Sequence, residues 1–455
     1  MDFTRLFHPE SIAVVGVSLT NDRHPANVIY NKIHLRYPVN VYPVNPKGGR
    51  LQGERVYTGI PEIPSSVDLA VIAARAESVG EILESCIEKR VGGAIIISGG
   101  FAETGRKDLQ QKLVDSAREA QFPFIGPNCL GIYAPGRFDS FFLPGERLIR
   151  PEPGAVAVVS QSGGVLVDQM VKFAEQGVGL SLAVSIGNKA LIRELDLIQY
   201  LAKDPDTRVI SLYVEGFEKN EGRRFVEAVR SISKPVIVLK AGKSRQGSRA
   251  ANSHTASLAG DYRVFSQVMM QHGVVEAKNE FEMVSFCESL SCYHRPIQGK
   301  IGIITASGGH GVLASDVCAA HGLSVPAINA ADQERIRESL SERLRTIVTL
   351  QNPIDLTGSA EDDDFVAAAA GLIRVPDIDC VLLLLLPYSP GISSDLGARM
   401  SYLFRGQDKP LMAYVPHQEK YRMLIEGFEL NNVPVSSSID GAVLMAEALR
   451  RCRPC

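Results

Sequence analysis

The sequence predicts an α/β protein built from three successive doubly wound domains. Short apolar segments recur along the 455 residues, and amphipathic segments with helical spacing separate them. Strands that alternate with helices in this way form parallel sheets with helices on both faces. The length agrees, because one domain usually takes about 100–200 residues. We therefore expect domains at residues 1–150, 151–295 and 296–455.

The first domain is predicted from four apolar strands at residues 11–16, 39–45, 69–73 and 93–98, with an amphipathic helix at 76–91. The proline- and glycine-containing segment that follows near Pro151 is typical of a linker.

The same alternation then starts again twice. For the second domain it predicts strands at 155–160, 180–185, 209–214 and 235–239, and helices at 162–176 and 196–202. A second linker is expected at 296–300. For the third domain we expect strands at 301–305, 380–386 and 410–414, and helices from about 309 and 440.

The overall composition argues against several classes of protein. Hydrophobic residues make up 45% and charged residues 22%, and the formal net charge is −3. Neither a nucleic-acid binder nor a polybasic membrane-surface protein is indicated. No signal peptide or membrane-spanning segment is predicted, so we expect a cytoplasmic protein. The eight cysteines are interpreted as free thiols, and no metal site is predicted.

Ligands of open α/β sheets bind at the carboxyl ends of the strands, so these ends are the places to look for chemistry. In the second domain, Ser160, Ser162, Gly163 and Gly164 lie between a strand and a helix. The unpaired N–H groups of a helix N-terminus attract anions, which indicates a phosphate site. Ser162 acting only as an N-cap is the alternative.

Similar turns occur in the other two domains. In the third domain, Ser307, Gly308 and Gly309 follow a strand and precede a helix. His310 is expected to be a partly exposed turn histidine, and a contact with phosphate is the alternative. In the first domain, Gly16 alone is a weak signal for a ligand. Lys47 follows the second strand, where dinucleotide-binding dehydrogenases carry an acidic residue. Since a cation suits a phosphate, Lys47 favours a phosphorylated nucleotide over NAD; a solvated surface lysine is the alternative.

A segment rich in glycine, serine and alanine surrounds His254. It runs from residue 240 to 260 and carries four cations, which predicts an exposed and mobile loop. A neutral imidazole can act as a nucleophile near neutral pH, and nearby cations would favour a phosphoryl group on it. A surface histidine without a role, or a lid that contacts a nucleotide, remains an alternative from the residues alone.

Taken together, the chain resembles the NDP-forming acyl-CoA synthetases of the succinyl-CoA synthetase superfamily, and specifically the α subunits of ADP-forming acetate–CoA ligases. The resemblance covers nearly the whole chain. Individually the motifs are modest, but their order is specific. They occur at residues 41–47, 67–72, 100–105, 126–131, 160–164, 185–188, 204–208, 253–255 and 352–357.

The resemblance implies a Rossmann-like CoA-binding domain followed by two flavodoxin-like domains. It implies that CoA is bound near Gly16, Ser18, Lys47, Ser98, Gly99 and Asn128. It also implies that His254 is transiently phosphorylated and that Glu215 orients its imidazole. The two serine–glycine turns at Ser160–Gly164 and Ser307–Gly309 would then be phosphate-binding sites. The sequence departs from the family pattern at residues 18–26 and at Ala306 and His310, which leaves the side-chain contacts there open.

The reaction implied by the resemblance joins a carboxylic acid to CoA with ATP, reversibly. No ATP-grasp domain and no phosphate-binding P-loop motif is recognised in the sequence. We therefore expect a separate ATP-grasp β subunit, in a heterodimer or heterotetramer, that binds ATP or ADP and Mg²⁺. A non-catalytic module that senses CoA or acyl-CoA is the alternative, and an NAD-dependent oxidoreductase is disfavoured by Lys47. The acid itself is not identified by the sequence.

Overall fold

The computed structural model describes residues 1–218, 220–254, 261–417 and 419–452, with only the backbone of residues 251–254. It confirms the predicted α/β class with parallel sheets. The chain forms two compact units, Met1–Lys278 and Asn279–Cys455. Within the described residues, no helix is both long and apolar enough to cross a membrane.

A five-stranded parallel sheet with the order β2-β1-β5-β6-β7 begins the first unit. Its central strands are wholly buried, as their continuous apolar sequences require when helices cover both faces. The elements of this part are α1 (Thr4–Phe7), β1 (Ser11–Val15), α2 (Pro25–Arg36), β2 (Asn40–Val44), β3 (Arg50–Leu51), β4 (Glu54–Arg55), β5 (Leu69–Ile72), α3 (Ala76–Glu88), β6 (Gly93–Ile96), α4 (Lys107–Glu119) and β7 (Phe124–Ile125).

A seven-stranded sheet with the order β14-β13-β12-β10-β11-β8-β9 completes the first unit. Strands β8 and β9 form a hairpin that joins the sheet antiparallel to β11, with Ala183 opposite Tyr133. The elements are β8 (Gly131–Ala134), β9 (Phe138–Asp139), β10 (Pro153–Ser160), α5 (Gly163–Glu175), β11 (Leu180–Ser185), α6 (Glu194–Leu201), β12 (Val209–Val214), α7 (Glu221–Arg230), β13 (Val236–Lys240), α8 (Arg245–His254), α9 (Tyr262–Gln271) and β14 (Val275–Ala277).

The second unit contains a five-stranded parallel sheet with the order β16-β15-β17-β18-β19. Its first helix packs against its last one, and Ser289 donates a hydrogen bond to the Met445 carbonyl at 2.7 Å. The elements are α10 (Glu280–Cys292), β15 (Ile301–Thr305), α11 (Gly308–Ala320), α12 (Ala330–Ser339), β16 (Ile354–Asp355), α13 (Asp362–Ile373), β17 (Cys380–Leu384), α14 (Leu396–Phe404), β18 (Leu411–Tyr414), α15 (Arg422–Glu429), β19 (Val435–Ser436) and α16 (Ile439–Arg451).

Two expectations about local structure need correction. Residues 245–254 form helix α8 and not an irregular loop. Helix-forming alanines and arginines lie in this segment, and the Ser244 hydroxyl accepts a hydrogen bond from the Gly247 N–H at 3.0 Å, which caps its first turn. The expected linker near Pro151 is also shorter, because β10 begins at Pro153. The three domain boundaries remain a prediction.

Candidate active site

The two sheets of the first unit end at a common cleft with a volume of about 860 Å³. Its lining divides into polar side chains, apolar side chains and glycines. The polar group is Glu103, Lys107, Gln110, Asn128, Gln161, Ser162, Asn188, Lys189, Glu215 and Glu218. The remaining residues are Ile97, Ala102, Cys129, Leu130, Phe142, Leu143, Val167, Gly163, Gly164 and Gly187.

The N-terminus of α5 opens into this cleft. Ser162 is the N-cap, and its hydroxyl accepts a hydrogen bond from the Val165 N–H at 3.3 Å. A side chain added at Gly164 would meet no atom within 4 Å, so the backbone is open to a ligand there. Ser160 is fully buried, and its hydroxyl donates to the Ser162 carbonyl at 2.7 Å. Of the predicted phosphate residues in this turn, Ser160 therefore shapes the turn, while Ser162, Gly163 and Gly164 line the cleft.

The turn that carries Glu215 is fixed by the side chain of Gln161. Gln161 Oε1 accepts hydrogen bonds from the N–H groups of Glu215 at 2.7 Å and Gly216 at 3.3 Å. Its Nε2 donates to the Gly216 carbonyl at 3.0 Å and to the carboxylate of Glu194. Since Gln161 precedes the Ser162 cap by one residue, the same segment positions both the helix N-terminus and Glu215.

A buried ion pair stabilises the turn of Glu215 and Gly216. The ammonium of Lys189 donates to the Gly216 carbonyl at 2.7 Å and pairs with Glu194 at 3.0 Å. Glu194 is fully buried, and Lys189 has a left-handed backbone with a φ of 43°. Because a buried charge is tolerated only when it is paired, these contacts hold the two side chains in place.

Lys240, at the end of β13, adds a cation beside Glu215. Its Nζ donates to the Glu215 carbonyl at 2.6 Å. Burial lowers the pKa of Lys240 to about 8; the nearby Glu215 carboxylate opposes this shift and Lys243 adds to it. This lysine therefore loses its proton at a lower pH than an exposed lysine does.

His254 is the last residue of α8, the helix that follows strand β13 of the seven-stranded sheet along the chain. Its side chain, like residues 255–260, lies outside the described residues. The proposed contact between His254 and Glu215 therefore stays a prediction.

Some of the residues predicted to bind CoA lie in this cleft, and the others lie at the carboxyl ends of the strands of the first sheet. At these strand ends, Asn45 Nδ2 donates to the Val17 carbonyl at 2.6 Å and joins the loops that carry Ser18 and Lys47. Gly16 has a φ of 100°, and a side chain there would come within 2.3 Å of the Ala73 carbonyl oxygen. Lys47 is exposed, and within the described part of the chain its ammonium has no ion-pair partner.

Three of the predicted residues near CoA have their polar groups engaged in the fold. Ser18 accepts hydrogen bonds from the N–H groups of Thr20 and Asn21 at 3.3 and 3.1 Å. Ser98 joins two strand ends by donating to the Ala74 carbonyl at 2.6 Å. Asn128 lies in the cleft, where its Nδ2 donates to Asn188 Oδ1 at 3.3 Å.

Gly99 lies beside a hydrogen-bonded polar group in the cleft. A side chain at Gly99 would come within 3.3 Å of both Asn128 Oδ1 and Glu103 Oε1. Asn188 Nδ2 donates to Glu103 Oε2 at 2.5 Å and to Gln110 Oε1 at 3.0 Å. Burial raises the pKa of Glu103, but the hydrogen bonds from Asn188 and from three backbone N–H groups outweigh it and lower the pKa.

The second unit repeats the local design of the first phosphate turn. Thr305 Oγ1 donates to the Ser307 carbonyl at 3.2 Å and accepts from the Ser307 N–H at 3.1 Å. Gly309 is open, whereas a side chain at Gly308 would come within 2.9 Å of Asp355 Oδ2. His310 Nδ1 lies 3.1 Å from Ser307 Oγ. His310 thus contacts the serine of the turn, a contact the sequence did not indicate.

The sequence-based predictions omitted several residues of the cleft, chiefly Gln161, Lys189 and Glu194. A signal existed for Gln161, which lies inside the serine–glycine motif. Lys189 and Glu194 are charged residues between a predicted strand and a predicted helix, so nothing local distinguished them from solvated surface residues. Over the described residues, no group of three histidine, cysteine, aspartate or glutamate side chains is placed to hold a metal ion.

Family models match two parts of the chain. A CoA-binding domain matches residues 10–135, and the flavodoxin-like domain of succinyl-CoA ligases matches residues 153–290.

Whole-chain comparisons extend this similarity. The α subunit of acetate–CoA ligase (ADP-forming) I from Pyrococcus furiosus is 33% identical over 99% of this chain and 97% of its own length. Acetate–CoA ligase (ADP-forming) I from Archaeoglobus fulgidus is 38% identical over 84% of this chain, which spans only 55% of that longer protein. The dinucleotide-forming acetyl-coenzyme A synthetase 1 of Ca. Korarchaeum cryptofilum, solved with phosphate and ADP, is 28% identical. It superposes with a TM-score of 0.87 over 99% of this chain and 96% of that one. The chain therefore belongs to the NDP-forming acyl-CoA synthetases, in the group of the ADP-forming acetate–CoA ligase α subunits.

Proposed function

We propose that this chain is the catalytic α subunit of an ADP-forming acyl-CoA synthetase that works through an acyl phosphate and a phosphohistidine at His254. The observation that carries the proposal is the cleft itself. It brings the open helix N-terminus at Ser162, Gly163 and Gly164 together with Glu215, a carboxylate suited to orient an imidazole.

In the direction of thioester synthesis, the imidazole of His254 attacks the γ-phosphorus of ATP, and ADP leaves. The carboxylate of the acid then attacks the phosphohistidine, which yields an acyl phosphate and regenerates the imidazole. The CoA thiol attacks the acyl carbon, the bond from that carbon to the phosphate oxygen breaks, and the thiol proton leaves with the phosphate as hydrogen phosphate. In each step the residues of this chain position the groups and neutralise charge, which is the main need of phosphoryl transfer.

The helix N-terminus at Ser162, Gly163 and Gly164, here called the phosphate cradle, would hold the phosphoryl group during the last two steps. Its N–H groups and the positive end of the helix dipole favour the anionic oxygens. Glu215 would accept a hydrogen bond from the His254 ring, which selects the tautomer and stabilises the cationic ring after attack. Gln161 and Lys189 would act as positioning residues, since they hold the Glu215–Gly216 turn.

CoA fits the edge of the first sheet as this chain builds it. The exposed ammonium of Lys47 suits a phosphate, and the absence of a Cβ at Gly16 leaves the βα turn compact. The thiol end would reach the cleft near Asn128 and Gly99. Bound CoA supplies the nucleophilic sulfur of the last step.

ATP or ADP and Mg²⁺ are proposed to bind to a separate ATP-grasp β subunit in the cytoplasm. The α-subunit name of the Pyrococcus relative and the greater length of the Archaeoglobus relative support a second polypeptide or segment. The second serine–glycine turn, at Ser307, Gly308 and Gly309, is proposed to bind phosphate when the phosphoryl group is exchanged with the nucleotide.

The test is acid-dependent ADP formation by the chain purified together with its β subunit. Catalytic turnover to ADP should require ATP, CoA and a carboxylic acid together, whereas ATP alone should release at most one ADP per His254. Glu215→Gln should lower kcat about 10–100-fold, because the imidazole loses its orienting group. The exposed Glu227→Gln is the matched control and should keep wild-type activity. Formation of AMP, or no ADP with any acid of a broad panel, would contradict the proposal.

A further inference from the structure

The part of the cleft beside the phosphate cradle is apolar. Val167 lies one turn after Gly163 and Gly164 in α5, so it lies on the same face of the helix. Leu130 lies close to Gly163 at the N-terminus of α5, because a side chain added at Gly163 would come within 3.2 Å of Leu130 Cβ. Leu130 and Val167 therefore flank the helix N-terminus at which a phosphate is proposed to bind.

Phe142 and Leu143 complete this apolar lining from the segment after β9. A buried charge cluster fixes their backbone. Asp139 is fully buried and pairs with Lys32 at 2.9 Å and with Arg150 at 2.5 Å.

The two cations of this cluster also hold the carbonyl groups of the segment. Lys32 donates to the carbonyls of Phe141 at 2.5 Å and Leu143 at 3.3 Å. Arg150 Nη2 donates to the Leu143 carbonyl at 3.2 Å. Lys32 and Arg150 pair with the buried Asp139 and also donate to the backbone carbonyls of this segment. We therefore expect the apolar side chains of the segment to be held in place before a ligand binds.

The polar lining of the cleft forms a separate group. Asn188 donates hydrogen bonds to both Glu103 and Gln110. Lys107 lies on the same face of α4 as Gln110, three residues before it, and so belongs to this polar group. The hydrogen-bonded polar groups of this side of the cleft thus meet at Asn188.

We propose that Leu130, Phe142, Leu143 and Val167 form the pocket that selects the acyl chain, with the cluster of Lys32, Asp139 and Arg150 as its positioning support. This inference rests on the proposed function. With the phosphoryl group of an acyl phosphate in the cradle, the acyl chain extends over these four side chains. Such a pocket takes a monocarboxylic acid with an uncharged chain. A second carboxylate or a sulfonate would lose its hydration without gaining a partner there.

The experiment compares kcat/KM for acetate, butyrate and succinate in ADP formation by the complex with the β subunit. Wild type should favour butyrate over acetate by roughly fourfold per added methylene, and succinate should be the poorest of the three. Leu143→Ala should lower the butyrate-to-acetate ratio about fourfold or more. Val167→Phe should lower kcat/KM for butyrate about tenfold relative to acetate, because the added ring occupies the chain's position. The exposed Leu35→Ala on α2 is the matched control and should leave both ratios unchanged.

Two results would overturn the inference while the proposed function stands: succinate used better than butyrate, or both pocket variants changing kcat/KM for acetate and butyrate by the same factor. Absence of ADP formation by wild type with all three acids and a wider panel would instead overturn the proposed function, and this inference with it.

Discussion

At the scale of single residues, the amide of Gln161 joins two parts of the site. It lies directly before the cap of α5, and both of its polar atoms bind the turn of Glu215 and Gly216. A glutamine can accept and donate hydrogen bonds at the same time, which an ionised carboxylate cannot do.

Replacing Gln161 by alanine should affect both stability and activity. The variant leaves the N–H groups of Glu215 and Gly216 without their acceptor, so the free energy of unfolding should fall by about 1–3 kcal/mol. We expect kcat to fall about tenfold or more, since Glu215 loses its fixed position. Urea unfolding and steady-state ADP formation measure the two effects. Gln111→Ala, at an exposed position on α4, is the control and should change neither; an unchanged kcat in Gln161→Ala would refute the positioning role.

Gly164 allows function to be separated from folding. Its position has room for a methyl group, and alanine is favoured over glycine in a helix by about 1 kcal/mol. Gly164→Ala should therefore be as stable as wild type or more so, yet its activity should fall about tenfold or more, because the methyl group enters the anion site. Gly80→Ala in α3, where there is equal room, should gain stability without losing activity. Full activity in Gly164→Ala would show that no anion binds there.

At the scale of elements, the hairpin β8–β9 and the segment after it connect the two sheets of the first unit. The hairpin pairs with β11, and Asp139 at its end binds Lys32 of α2, a helix of the first sheet. Burial lowers the pKa of Lys32 to about 8 and Arg150 adds to the shift, although Asp139 opposes it.

This shift predicts a pH-dependent contribution of Lys32 to stability. Between about pH 8 and the ordinary lysine pKa, the unfolded chain binds more protons than the folded one, so this group makes stability rise with pH. The slope is at most about 1.4 kcal/mol per pH unit. Lys32→Met lacks the contribution, so wild type should gain in free energy of unfolding relative to the variant between pH 8 and pH 10. Urea unfolding at fixed ionic strength measures it, with the exposed Lys203→Met as control. A difference that is constant or shrinks with pH would contradict the assigned shift.

The sequence predicted those elements whose signal is local. Strands such as Ser11–Val15 and Leu180–Ser185 are continuous apolar segments, and helix α5 begins one residue after the serine expected to cap it. The hairpin β8–β9 was not predicted, because its pairing with β11 depends on tertiary contacts. A loop was predicted in place of helix α8, because the glycine and serines of this segment favour irregular structure and its alanines were given less importance. Glu215, Ser162 and Gly164 were expected at the site, whereas the support by Lys189 and Glu194 requires knowledge of which strand ends meet.

At the scale of the whole molecule, the same strand–turn–helix design appears in both compact units. The hydroxyl of Ser160 binds the Ser162 carbonyl, and the hydroxyl of Thr305 binds the Ser307 carbonyl in the same way. Each unit therefore offers one helix N-terminus with an open glycine. The proposed transfer of a phosphoryl group between an acyl group and a nucleotide would need two such sites.

The central claim, that His254 carries the phosphoryl group, is tested most directly by labelling. The chain purified with its β subunit is incubated with ATP labelled in the γ-phosphate and Mg²⁺, and protein-bound label is measured after acid and after alkali. Wild type should carry label that is stable in alkali and lost at low pH, as a phosphohistidine is. After free ATP is removed, the label should disappear when a carboxylic acid substrate and CoA are added. His254→Asn should carry none. Equal labelling of wild type and His254→Asn would contradict the account.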